Sequence, residues 1–228
     1  MSASFRGLYA MVDVGALEAR GVDPFAYAEA LLGARPALLQ VRAKALGTRA
    51  FCTLVGRLLP RAHAHDVPLV VNDRLDVARA AGATYLHVGQ EDLPVEVARR
   101  LAPRLRIGVS THDLAQLARA LEARPDYVAY GPVFETRSKE RPDPVVGVPG
   151  LRQAAKLARD AGIPLVAIGG VDLERARGLA RDVSMVAVIG DLLPASSDAS
   201  ALAAAVARAK AFHSVFFVSP SGEETHPC

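Results

Sequence analysis

Short apolar runs rich in β-branched residues recur along this chain, and segments rich in Ala, Leu and Arg follow them. The runs fall at 8–12, 38–42, 68–72, 85–88, 106–109, 127–130, 164–168 and 185–189. Each is of strand length and apolar on both faces, the pattern of a parallel sheet covered by helices. The intervening segments predict helices over 24–33, 48–65, 74–81, 94–101, 113–123, 151–161 and 173–181. Thr48 is the expected N-cap of the second of these, and Pro94 suits a first helical turn. A last helix is expected from Asp198 or Ser200 to Phe212. Eight strand–helix units close naturally into a (β/α)8 TIM barrel with parallel strands. A doubly wound open sheet is the alternative, but the Gly-rich turn after the first strand is missing.

The barrel is expected to occupy residues 1–213 as a single domain, a size such barrels commonly have. Residues 214–228 fall outside the eight units; they hold Val215-Phe216-Phe217-Val218 and then a polar end. The apolar patch is a candidate contact for the barrel or for a second subunit of a homo-oligomer, and the polar end is expected to fray.

Charge and composition narrow the function classes. A hydrophobic fraction of 51% with 22% charged residues is that of a soluble globular protein. The formal charge of +3 is small and its lysines and arginines are scattered, so no nucleic-acid partner is expected. No membrane span is expected either, since Arg208, Lys210 and His213 break the longest Ala-rich stretch. Asp13 and Glu18 interrupt the first apolar run, which argues against a secretory signal. Cys52 and Cys228 suggest neither a disulfide framework nor a metal site, so a cytoplasmic location is the default.

In such a barrel the chemistry sits at the carboxyl ends of the strands, and polar residues gather there. On the second strand Gln40, Arg42 and Lys44 share one face, because side chains alternate with a period of two. Unpaired charge is costly to bury, so these three are expected to meet water, acids or an anionic ligand. Asn72-Asp73 end the third strand and Gly89-Gln90-Glu91-Asp92 follow the fourth. Ser110-Thr111-His112 end the fifth, and the sixth leads into a loop through Lys139. Gly169-Gly170 and Ile189-Gly190 close the seventh and eighth.

Asp73 and Asp92 stand at adjacent strand tips, where two carboxylates plus phosphate oxygens would suit Mg²⁺. Each could instead cap the helix after it. Arg42, Lys44 and Lys139 bring cations to the same mouth. Glycines after strands seven and eight let backbone N–H groups approach a phosphate. Two anion sites imply two phosphorylated small-molecule substrates or one bisphosphate. His63 and His65 do not share a helix face, His87 reads as a packed strand residue, and His112 stands close enough in sequence to orient the Ser110 hydroxyl. No nucleophile elbow, Walker loop or dinucleotide fingerprint is present.

Taken in order, Gln40-Val41-Arg42-Ala43-Lys44, Asn72-Asp73, His87 through Asp92, Gly108 through His112, Gly131 through Lys139 and Ile168-Gly169-Gly170 resemble thiamine-phosphate synthase. The resemblance spans about residues 7–210. It implies a transferase that joins 4-amino-2-methyl-5-(diphosphooxymethyl)pyrimidine to 4-methyl-5-(2-phosphooxyethyl)thiazole, releasing pyrophosphate. By the same resemblance Gln40 and Asn72 hold the aminopyrimidine. Arg42, Lys44, Ser110 and Lys139 grip the diphosphate, with Mg²⁺ on Asp73 and Asp92. Thr136, Arg137, Ser138, Gly170, Ile189 and Gly190 hold the thiazole phosphate. Two departures stand out: Thr136-Arg137-Ser138 replaces Thr-x-Thr, and Ile189-Gly190 followed by Asp191 replaces Val-Ser. Two other readings are a thiazole tautomerase, with His112 as its base, and a non-catalytic sensor of a thiamine intermediate.

Overall fold

The computed structural model describes residues 5–136 and 143–217. Eight parallel strands close into a barrel in sequence order, β1 pairing with β8. The strands are β1 (Gly7–Asp13), β2 (Leu38–Arg42), β3 (Leu69–Asn72), β4 (Tyr85–Val88), β5 (Arg106–Thr111), β6 (Tyr127–Tyr130), β7 (Leu165–Ile168) and β8 (Met185–Val188). The helices are α1 (Val14–Glu18), α2 (Pro24–Leu32), α3 (Thr48–Ala64), α4 (Leu75–Ala81), α5 (Val95–Leu101), α6 (Leu114–Glu122), α7 (Gly147–Asp160), α8 (Leu173–Leu179) and α9 (Ala199–Phe217). All eight expected strands form. The elements differ from expectation mainly at their ends.

Alternation along each strand divides the apolar residues into two layers. Leu39, Val41, Val71, Leu86, Ile107 and Val128 point outward against the helices. Tyr9, Leu38, Val70, Tyr85, Tyr127, Val166 and Met185 fill the interior. This is why continuously apolar strands are needed: both faces are dry.

Several boundaries move for local reasons. Helix α1 was not expected; Asp13 starts it by accepting from the Ala16 amide at 3.1 Å. Gly47, not Thr48, occupies the N-cap of α3, and the Thr48 hydroxyl instead accepts from Arg74 at 2.6 Å. Strand β5 continues to Thr111, whose hydroxyl donates to the Ala129 carbonyl at 2.9 Å across the sheet. Helix α9 runs five residues beyond the expected Phe212, because Phe212 and Phe216 lie one turn apart and are both buried. The Arg6 guanidinium donates to the Phe216 carbonyl at 3.0 Å. The expected tail at 214 is therefore continuous with α9 as far as Phe217, and Phe216 packs within the chain's own core. Among the described residues no helix is long and apolar enough to cross a membrane.

One glycine shapes the barrel interior. A Cβ on Gly108 would lie 2.1 Å from the Tyr127 ring, so only glycine lets that ring lie across β5. Tyr127 is fully buried and cannot swing into solvent. Gly108→Ala should therefore destabilise the protein by about 1–3 kcal/mol, the usual cost of overpacking a filled core. Urea unfolding will check this; an unchanged midpoint and slope would refute the packing role.

Candidate active site

Parallel closure puts the carboxyl ends of all eight strands at one mouth. Arg42 ends β2 there and forms an ion pair with Asp13, the last residue of β1, which faces it in register. Lys44 Nζ lies 3.3 Å from Asp73 Oδ2. Asp73 adopts φ +61°, a left-handed conformation that costs free energy in most non-glycine residues but is tolerated by Asp. Its amide donates to the His87 carbonyl at 2.8 Å, tying the turn to β4.

Burial, then hydrogen bonding and repulsion from Asp92, push the Asp73 carboxyl above the usual carboxylate range, while Lys44 pulls it down. The two carboxylates therefore converge. Neither caps the helix that follows it: Arg74 and Pro94 hold those N-cap positions without side-chain bonds. Asp92 Oδ2 instead accepts from the Gly89 amide at 2.7 Å. A carboxyl held above its usual range by a facing carboxylate marks a site short of positive charge. Among the described residues no cluster of three or more potential metal ligands forms. Two carboxylates nonetheless suit Mg²⁺, which keeps several waters and shares substrate oxygens.

Gln40 departs from expectation. It is 1% exposed, and its amide Nε2 donates to the Tyr9 hydroxyl at 2.5 Å inside the barrel. An uncharged amide can be buried where a cation cannot, provided it is bonded. Its Oε1 is buried with no hydrogen-bond partner among the described residues. From Tyr9 a chain of polar contacts crosses the interior: Tyr9 and Tyr127 hydroxyls lie 2.8 Å apart, Tyr127 Oη and His87 Nδ1 3.1 Å, and His87 Nε2 and Ser110 Oγ 2.8 Å. Asn72, also buried, pairs in register with His87. Thus His87 contacts Ser110. His112 turns away, with Nδ1 2.6 Å from the Gly131 carbonyl and Nε2 3.6 Å from the Asp143 carboxylate.

The glycines after β7 serve loop packing. Gly169 and Gly170 have φ +93° and +63°, and Cβ atoms there would lie 2.4 Å from Pro132 and 2.3 Å from the Glu135 carbonyl. The loop after β6 thereby lies flat on the end of β7, bonded through Val133 and Phe134 amides to the Ile168 and Gly169 carbonyls. Thr136 sits at the end of the described part of that loop. Arg137, Ser138 and Lys139 lie outside the described residues. Ile189 packs against the interior cluster, and Gly190 opens a 3-10 turn, Gly190–Leu192. Asp191 does not face the mouth unpaired: Arg208 of α9 clamps it with two 2.8 Å bonds, and it accepts from the Leu173 amide at the start of α8.

A family model described as thiamine monophosphate synthase matches residues 8–192. The chain belongs to the thiamine monophosphate synthase family. Thiamine-phosphate synthase of Koribacter versatilis is 42% identical over 193 residues, covering 82% of this chain and 88% of that protein. The Anaeromyxobacter dehalogenans protein of the same name is 38% identical over 203 residues, covering 89% and 86%. Among solved structures, thiamine phosphate pyrophosphorylase from Pyrococcus furiosus superposes with a TM-score of 0.79 at 28% identity, covering 93% of this chain and 98% of that one. Membership makes the chain an enzyme of the thiamine-phosphate synthase type.

Within this family framework the residues missed from sequence are Asp13, Tyr9 and Tyr127. Asp13 could have been found by the same strand-end rule that singled out Asp73. The tyrosines carried no signal, since each stands in an apolar strand as an ordinary core residue. Burial holds His87 neutral, lowering its pKa from 6.5 to about 4. The unfolded chain therefore binds the proton first, and His87's contribution to stability is complete above pH 6.5 and lost as pH falls toward 4. The loss should reach about 3 kcal/mol near pH 4. Urea unfolding of parent and His87→Gln between pH 7 and 4 will check it: the parent should fall more steeply, and parallel curves would refute a neutral buried histidine.

Proposed function

We propose that this enzyme condenses 4-amino-2-methyl-5-(diphosphooxymethyl)pyrimidine with 4-methyl-5-(2-phosphooxyethyl)thiazole to give thiamine phosphate and pyrophosphate. The observation that carries the reading is the convergence of Asp73 and Asp92 at one mouth with Lys44, Arg42 and Ser110 on the neighbouring strand ends. In the first step the bond between the pyrimidine methylene carbon and the diphosphate oxygen breaks, and its electron pair leaves with the diphosphate. The thiazole nitrogen lone pair then forms the new C–N bond on the pyrimidinylmethyl cation. That nitrogen carries no proton, so the reaction requires no general base.

The departing diphosphate gathers negative charge, and donors already aimed at that position lower the barrier. Lys44 and the Ser110 hydroxyl fill this role, with Lys139 of the connection after β6. Asp13 and Asp73 keep Arg42 and Lys44 in place when no anion is bound. Asp73 and Asp92 would hold Mg²⁺, which supplies further charge neutralisation for the diphosphate oxygens when bound. Gln40 and Asn72 would take the aminopyrimidine. Thr136, Arg137, Ser138, Gly170, Ile189 and Gly190 would take the thiazole phosphate, a pocket from which the Arg208 clamp withdraws the Asp191 charge. A tautomerase acting on the thiazole alone has no use for the facing carboxylates.

Purified protein given both substrates and Mg²⁺ should release pyrophosphate, and EDTA should stop it. Asp92→Asn and Lys139→Ala should each lower kcat by about 100-fold or more, as loss of a preorganised charge contact does, with thermal midpoints near the parent's. Full activity in either variant, or chelation-insensitive turnover of the thiazole alone, would end this reading.

A further inference from the structure

The contacts running from Gln40 through Tyr9, Tyr127 and His87 to Ser110 form a single file in which each hydroxyl and the neutral imidazole has one proton to give. A hydroxyl in such a file accepts on one side and donates on the other. Only two proton arrangements are therefore self-consistent. In one, Gln40 Nε2 donates to Tyr9, Tyr9 to Tyr127, Tyr127 to His87 Nδ1, and His87 Nε2–H to Ser110, leaving the Ser110 proton free. In the other every bond reverses, Ser110 spends its proton on His87, and the Gln40 amide must turn over to present its NH2.

An anion at Ser110 chooses between them, because it can only accept. The Ser110 proton goes to the anion, His87 must donate from Nε2, and the file runs in the first direction. Gln40 then presents Oε1, the buried atom with no partner among the described residues. Burial raises the pKa of both tyrosines, so the two hydroxyl protons stay in the file.

We infer that Tyr9, Tyr127 and His87 are positioning residues that fix the Gln40 amide as a hydrogen-bond acceptor whenever an anion occupies Ser110, so that the site selects a pyrimidine bearing an amino donor over its oxo counterpart. The inference rests on the proposed substrate, whose N–H donors all belong to its exocyclic amino group. The oxo analogue would set a carbonyl oxygen against Oε1, two acceptors with no proton between them. Tyr9 holds the amide directly. Tyr127 acts at one remove: without its hydroxyl, Gln40 keeps its bond to Tyr9, but Ser110 no longer dictates which way that bond points.

The test measures binding of the 4-amino and 4-oxo pyrimidine methyl diphosphates by calorimetry, to the parent, Tyr9→Phe and Tyr127→Phe, alongside pyrophosphate release with the thiazole phosphate. The parent should favour the amino compound by about 100-fold or more, as a site with an oriented polar group does. Both variants should narrow that ratio by about tenfold or more, the scale of one lost buried hydrogen bond; the lost bonds will also lower their thermal midpoints, so the ratio of the two ligands, and not overall affinity, is the readout. A structural role alone would weaken both ligands equally, and an unchanged ratio in both variants overturns the inference. Should the parent bind the amino compound selectively yet release no pyrophosphate, the condensation reading fails while the file stands. A parent that shows no preference overturns the file itself.

Discussion

A closed eight-stranded barrel has a dry interior, and any polar atom placed there must find its partner on another strand. That constraint organises this protein. Gln40, Tyr9, Tyr127 and His87 come from β2, β1, β6 and β4, and none of their polar contacts is local in sequence. They form because the interior side chains of all eight strands converge on one axis. Gly108 belongs to the same arrangement, since its missing Cβ is the space in which the Tyr127 ring lies.

At the mouth the constraint is charge rather than hydrogen bonding. Arg42 and Lys44 are each held by a carboxylate from a neighbouring strand end, Asp13 and Asp73. The Lys44–Asp73 pair is exposed on its lysine side and contributes little to stability, so its value is positional, whereas Asp13–Arg42 is largely buried. The same region brings together Asp73, at a left-handed backbone position, and the carboxylate of Asp92. Asp191, which by sequence stands beside the expected thiazole-phosphate residues, is paired by Arg208 and by the Leu173 amide at the start of α8.

The site was legible in proportion to how closely position along a strand dictates position in space. Asp73 and Asp92 could be paired from sequence because adjacent parallel strands end side by side. Gln40 was assigned to the correct face but to the wrong environment: alternation tells which side a residue points to, not how deep that side lies. His112 was set beside Ser110 by proximity in the chain, whereas His87, on the neighbouring strand β4 and in register with Gly108, reaches diagonally to make the contact. In a sheet a diagonal neighbour on the same face can outrank the chain neighbour.

From its order of residues alone the chain determined eight strands, their parallel sense, and which polar residues would stand at their carboxyl ends, because hydrophobic periodicity and turn chemistry are local properties. Tertiary structure alone decided which of those residues touch: the Asp13–Arg42 and Asp191–Arg208 pairs, the packing of Gly169 and Gly170 under the β6 loop, and the file from Gln40 to Ser110. The file depends on distances across the closed barrel and the other contacts on how neighbouring strand ends, turns and helices pack, and no local pattern relates the residues they join.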